Sequence, residues 1–344
     1  MSPEISLQTA VENGVFPGAT AFLARGGDIH FHGAAGNLGV EAPFDVPATP
    51  ATIYDLASVT KVYVLGAALR CLRAHGIPLG ARLNQFLPGF DARLTLRNLM
   101  NHSSGIELPL QSLRGRALED WLSAIAAAPL NAPGERVLYA CTNYFLLGRA
   151  LVQIEGAPLE TVVQKYLLEP GQLRASFAPA DLGNVAPTER DENGDWVCGA
   201  VHDEAAREFR AQTGDCAGNA GLFAPCADVA AFARLWFADF FDPADVRAVD
   251  AAPLPENVTP QTVYPRGLGF QIDAPFYMSE AAPRGSWGHL GFTGPSLVLH
   301  RASQSVVVVL NNRVHPTRSG PNRLPTHRAL ARWSLERPGA DPIF

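Results

Sequence analysis

Lysine is nearly missing from this chain: two lysines stand against 25 arginines in 344 residues. Where arginine supplies almost every positive charge, a retained lysine points to a position that needs an amine able to lose its proton. A guanidinium stays protonated up to about pH 12, whereas a buried amine shifts readily. One of the two, Lys61, lies three residues after a serine in Leu56-Ala57-Ser58-Val59-Thr60-Lys61. The other, Lys165, has no serine at that spacing.

Cysteine is also sparse. The five, at 71, 141, 198, 216 and 226, are odd in number and form no C-x-x-C pair, which excludes a disulfide framework and a zinc ribbon and leaves reduced thiols. His30-Phe31-His32 puts two imidazoles on one face of a strand, but no H-E-x-x-H or carboxylate cluster accompanies them, so no metal is expected. No glycine-rich phosphate loop precedes a helix in a suitable place, which disfavours pyridoxal phosphate on Lys61 and leaves no cofactor expected. With a net charge of −6 and no run of basic residues on the scale of a phosphate-binding stripe, a nucleic-acid partner is excluded, although arginines thicken between Arg313 and Arg337. The amino terminus has no basic start and no apolar stretch, so no secretory signal or membrane anchor is read and a cytoplasmic location is expected. Nothing in the sequence bears on oligomeric state.

What is present is enough apolar material, 47% hydrophobic residues, to bury a large core in one large domain or two closely joined ones. The segments 19–24 and 29–32 read as a hairpin turning at Gly26-Gly27-Asp28. From Ser58 a long apolar stretch runs to Leu72 and stops at Gly76-Ile77-Pro78, predicting a buried helix. Between 94 and 241 the pattern is helical, with pieces at 121–128, 144–154, 159–168 and 227–240. After a Pro-rich stretch, 253–265, strands are predicted at 268–272, 296–300 and 305–310, then a helix at 324–335. Strands at both ends around helices predict an α+β fold: an antiparallel sheet flanked by helices, with an inserted all-helical region. Residues 1–62 with 242–344 are assigned to the sheet region and 63–241 to the helical region, the active site lying at their junction.

If Ser58 opens the helix, Lys61 lies nearly one turn on and shares its face. A serine hydroxyl is a weak nucleophile until a neighbour takes its proton, and an amine held neutral by desolvation can be that neighbour. The alternative is an N-capping serine followed by an exposed lysine, which the apolar run Val62-Tyr63-Val64-Leu65 opposes.

Two further segments carry a family resemblance. Tyr139-Ala140-Cys141-Thr142-Asn143-Tyr144-Phe145-Leu146-Leu147-Gly148 resembles the Tyr-x-Asn element, with its following helix, of class C β-lactamases and related penicillin-binding-protein-like esterases and D-peptidases. His289-Leu290-Gly291-Phe292-Thr293-Gly294 resembles that family's third element, which is Lys-Thr-Gly in β-lactamases. Weaker likenesses lie at 98–105, 218–223 and 311–316. The resemblance implies a β-lactamase/transpeptidase-like fold and a serine hydrolase acting on a small-molecule acyl substrate. It makes Ser58 the acylated nucleophile, Lys61 its base or proton relay, and Tyr139 the partner that moves protons. The N–H groups of Ser58 and Phe292 would form the oxyanion hole, with Gly291 admitting a close backbone approach.

Two positions depart from the family pattern. Cys141 replaces an asparagine that contacts the substrate's acylamino group and the lysine, with Asn143 close enough in sequence to compensate partly. His289 replaces the lysine that anchors a carboxylate, which implies a pocket with less fixed positive charge. An esterase or amidase is therefore expected ahead of a β-lactamase or D-Ala-D-Ala carboxypeptidase, and a catalytically weak binding homologue is the third reading.

Overall fold

The computed structural model describes residues 1–250, 254–259, 262–280 and 282–335. The chain begins with helix α1 (Pro3–Glu12), capped by the Ser2 hydroxyl, and a hairpin of β1 (Gly18–Arg25) and β2 (Asp28–Gly36). Its turn is glycine because Gly26 and Gly27 take φ of 58° and 92°. Strand β3 (Ile53–Asp55) leads through a 3₁₀ turn, Ala57–Val59, into α2 (Thr60–Ala74). Helices α3 (Leu96–Met100), α4 (Glu119–Ala126), α5 (Cys141–Glu155), α6 (Leu159–Val163) and α7 (Glu204–Thr213) follow. Strand β4 (Phe223–Pro225) pairs with β3, and α8 (Cys226–Leu235) and α9 (Pro243–Asp250) complete this part.

The remaining strands are β5 (Leu254–Thr259), β6 (Thr262–Arg266), β7 (Gln271–Ile272), β8 (Trp287–Leu290), β9 (Ser296–His300) and β10 (Ser305–Asn311). A short helix α10 (Pro275–Met278) interrupts them, and α11 (Leu324–Leu335) closes the described chain. The large sheet is antiparallel throughout, in the order β2-β1-β10-β9-β8-β7-β6-β5.

Strands β1 and β10 read as unbroken apolar runs because both faces are covered. Phe22, Ala24, Val306, Val308 and Leu310 face the large core shared with α2, α5 and α8. Ala19, Ala21, Leu23, Val307 and Val309 face a second core under α1, α10 and α11, against Leu7, Met278 and Leu330.

Two local expectations change. Ser58 does not open the helix: it sits inside the 3₁₀ turn, α2 starts at Thr60, and no side chain caps it. The strand expected over 268–272 is confined to β7, and the Pro-rich stretch before it, given no element above, contains β5 and β6, whose register sets Pro255 opposite Pro265. Two prolines can face each other because non-hydrogen-bonded pairs of an antiparallel ladder need no N–H.

Candidate active site

Ser58 is held on a strained turn. Ala57, without being glycine, has φ of 45°, a left-handed conformation that costs on the order of 1 kcal/mol and persists only when its surroundings fix it. Asp55 does so: its carboxylate accepts from the Ala57 N–H at 2.7 Å and from the His202 N–H at 2.7 Å. Burial pushes the Asp55 carboxyl up to about 6, against the pull of those two amides. Thr293 donates to the Asp55 carbonyl at 2.8 Å, tying the turn after β8 to the serine turn.

Lys61 is 0% exposed in the first turn of α2. Its Nζ donates to Ser58 Oγ at 2.9 Å, to the Asn219 carbonyl at 2.9 Å and towards Cys141 Sγ at 3.5 Å. Three donors meeting three acceptors is the pattern of an ammonium, which has no lone pair to offer. Burial opposes this charge, but the Cys141 sulfur and the Tyr139 hydroxyl beside it outweigh burial and set the amine above its ordinary value. Sequence reasoning took burial and nearby dipoles to favour a neutral amine; burial does pull that way here, while the two neighbours shift the amine in the opposite direction.

Tyr139, 37% exposed, lies just before α5 with its ring between three groups. The His102 ring packs at 4.4 Å between centroids, Arg266 lies 5.0 Å from the ring centre and Lys61 Nζ 5.3 Å. His102 is buried; its Nδ1 accepts from the Ala140 N–H at 3.3 Å, which holds the backbone beside Tyr139. Asn143 is wholly buried with its amide 3.3 Å from His102 Nδ1, so it supports the tyrosine from behind and does not line the cleft.

His289 is buried at the end of β8, its ring centre 6.0 Å from that of Tyr139. Its Nδ1 lies 2.9 Å from the Leu290 carbonyl, which can only accept, so Nδ1 carries the proton and Nε2 a lone pair. Burial first, then Arg266 and Lys61, depress His289 well below the usual range, so the ring is neutral. Positive charge reaches the cleft from elsewhere. Ser58, Tyr139, His289, Gly291, Phe292, Arg266 and Arg323 all line one cavity of about 370 Å³. Neither arginine is flagged by a sequence motif: Arg266 follows a Pro-rich stretch and Arg323 lies in a loop. Asp55 also escapes sequence reading, because it acts through backbone amides; Asn219 falls within the 218–223 likeness, but its role through a carbonyl is not visible there.

Gly291 is required by proximity to the serine turn more than to a ligand. A Cβ there would stand 2.6 Å from the Leu56 carbonyl and 3.3 Å from the Ala57 Cβ. Gly291→Ala is expected to displace β8 from the serine turn, costing about 1–3 kcal/mol and at least roughly tenfold in turnover. Denaturant midpoints and ester kinetics on the variant check both. Phe292, 48% exposed, is clamped by the His202 ring at 5.9 Å, with the Arg313 and Arg318 guanidinium groups 4.8 Å and 5.6 Å from its ring centre.

Lys165, the other lysine, forms an ion pair with Glu155 while remaining largely exposed. Glu155, also bonded to His75 at 2.9 Å and Tyr166 at 2.8 Å, is drawn down to about 2 by these partners, Lys165 foremost. Cys71 lies close enough to His75 and Glu155 for the three to share an ion. Burial raises that thiol to about 12, and Lys165, His75 and Tyr166 already occupy Glu155. His30 and His32 are both exposed on β2 and belong to no metal-ligand cluster among the described residues. Among the described residues no helix is long and apolar enough to cross a membrane.

A serine and a lysine on consecutive turns, a tyrosine before the neighbouring helix and a strand-end glycine are the arrangement of the β-lactamase-fold serine hydrolase family. The Beta-lactamase family model matches residues 6–332, and the chain belongs to that family. "Putative D-alanyl-D-alanine carboxypeptidase" of Escherichia coli (strain K12) is 28% identical over 337 residues, covering 84% of this chain and 75% of that protein. Among solved structures, "EstCE1, a hydrolase with promiscuous acyltransferase activity" aligns with a TM-score of 0.78 at 22% identity, covering 96% of this chain and 97% of that one. A class C β-lactamase from Rhodobacter sphaeroides aligns with a TM-score of 0.74 at 17% identity, covering 97% of each.

Proposed function

We propose that the protein is an esterase or amidase that hydrolyses a small acyl substrate through an acyl-enzyme on Ser58. The observation that carries this reading is the 2.9 Å contact between Ser58 Oγ and a fully buried Lys61 at the wall of an open cleft. Ser58 Oγ attacks the acyl carbonyl, and the oxyanion that forms is met by the N–H groups of Ser58 and Phe292. The serine proton enters the Lys61–Tyr139 pair and is passed to the leaving alkoxide or amine. Water then attacks the ester on Ser58 while the same pair takes its proton, and the serine is released. One proton must leave the Lys61–Tyr139 pair before the attack, which opens the position that the serine proton takes.

Cys141 keeps the contact to Lys61 but offers a thiol where an amide would bind an acylamino group, which favours simple acyl groups over cephalosporins. A D-peptidase is the second reading, supported by the curated relatives and by Arg266 in the cleft lining, whose charge suits a substrate carboxylate. A fluorophosphonate probe is expected to add covalently to Ser58 of the parent and to leave Ser58→Ala unmodified, as read by intact mass. Short-chain p-nitrophenyl esters should turn over, with a chromogenic cephalosporin weak or silent. A folded parent that takes no label at Ser58 ends the proposal, and strong cephalosporin turnover transfers it to a β-lactamase.

A further inference from the structure

Arg323 immediately precedes α11 and reaches back over the end of β8. Its Nη2 donates to the Gly291 carbonyl at 2.8 Å and its Nε to the Gly294 carbonyl at 3.0 Å. No carboxylate among the described residues pairs with it; burial, with Arg313 adding repulsion, lowers its guanidinium to about 10. A guanidinium taken out of water without an anion is costly, so the two carbonyls it binds compensate a substantial penalty. The Gly291 carbonyl and the Phe292 N–H are the two edges of one planar amide and point in opposite directions. A donor fixed on the oxygen therefore sets the direction of the N–H. By drawing electron density towards the oxygen it also strengthens that N–H as a donor. The next peptide is held in the same way, since Arg313 Nε donates to the Phe292 carbonyl at 3.1 Å. The Gly294 N–H makes a longer 3.3 Å bond to the Gly291 carbonyl, leaving Arg323 the charged partner of that oxygen.

We infer that Arg323 is a positioning residue for the oxyanion hole, aiming and polarising the Phe292 N–H through the Gly291 carbonyl. The inference rests on the acyl-enzyme reading at Ser58 and adds a residue that acts without touching the reacting atoms. It separates Arg323 from a substrate-carboxylate anchor, which would act on binding and not on the developing oxyanion.

The test compares an oxygen ester with its thionoester, whose C=S sulfur accepts hydrogen bonds poorly and gains little from an oxyanion hole. In R323M, kcat for the ester is expected to fall roughly 10- to 100-fold, somewhat less than the loss of a whole donor. KM should change less than about threefold and the thionoester rate should hardly move, so the ester-to-thionoester ratio falls with kcat. R323K, which restores one charged donor, should recover part of the ester rate and of the ratio. Should R323M fail to fold, R323K and R323Q carry the same ratio measurement. Equal losses for both substrates, or a rise in KM at constant kcat for uncharged esters, overturn the inference. A parent that labels at Ser58 while the ratio stays fixed in every variant overturns it alone. A folded parent that does not label removes the nucleophile, and this inference with it.

Discussion

Lys61→Met is expected to lower kcat/KM for a short-chain ester by about a thousandfold or more while leaving the melting temperature unchanged or raised. The two effects separate because of what the amine does at rest. Lys61 is wholly buried and its contacts are a hydroxyl, a carbonyl and a sulfur, with no carboxylate among them. An unbranched methionine fills nearly the same volume within α2, among Val62, Val64 and Leu65, without burying a charge. Two acceptors, Ser58 Oγ and the Asn219 carbonyl, lose a donor, which limits the gain in stability. Activity falls because no group remains to orient the serine hydroxyl or to pass its proton to Tyr139. Lys61→Arg should be comparably inactive, since a guanidinium does not give up its proton. Steady-state kinetics with thermal melts of parent and variants decide it. A variant that loses stability and activity together would show that Lys61 is chiefly a packing residue.

Acidification should destabilise the fold from about pH 6.5 downward. His102, His289 and His327 are each depressed well below the ordinary imidazole range, by burial in the first place. Arg266 and Lys61 add to the depression at the first two and Arg323 at the third. Below pH 6.5 the unfolded chain binds protons at these three positions while the folded chain does not, so unfolding is favoured as pH falls. Each such group contributes about 1.4 kcal/mol per pH unit, roughly 4 for the three, for as long as the rings stay neutral in the fold. Asp55 acts in the opposite sense. Its carboxyl, raised to about 6, takes up a proton in the fold before the unfolded chain does, which returns up to about 1.4 kcal/mol per unit below pH 6. The net expectation between pH 7.5 and 5.5 is a fall in melting temperature of about 5 °C. A flat or rising melting temperature over that range would contradict it. In His327→Gln the fall should shrink, since that ring lies away from the cleft between Asn311 and Ser296.

Patterns of two and three to four residues carried most of the fold. The hairpin, α2, α5, β9, β10 and α11 appear where apolar periodicity and turn residues place them. What failed was local: prolines at 255 and 265 concealed two strands because the permissive register of a ladder is not written in either strand alone. The serine, lysine, tyrosine and glycine of the site are visible as spaced motifs. Asp55, Arg266 and Arg323 carry no comparable signal, and His102 only the weaker likeness at 98–105, since their influence passes through backbone amides and carbonyls or ring contacts supplied by distant segments. Asn143 shows the converse. Its nearness in sequence to Cys141 suggested a shared task, but on a helix residues two apart face different ways, and its amide lies against His102.

Strand β1 pairs with β10, so the sheet is closed by residues from opposite ends of the chain. The serine turn belongs to the early part of the sequence and the Gly291–Phe292 peptide to the late part, and the bond from Thr293 to the Asp55 carbonyl joins the two. Closure spans most of the chain, and contacts of such separation form late and slowly. During synthesis a nascent chain that has completed every helix through α9 still has a serine with no oxyanion hole facing it. The acyl chemistry proposed for this site would thereby be tied to the last stage of folding, after the strands that shape the cleft have been made.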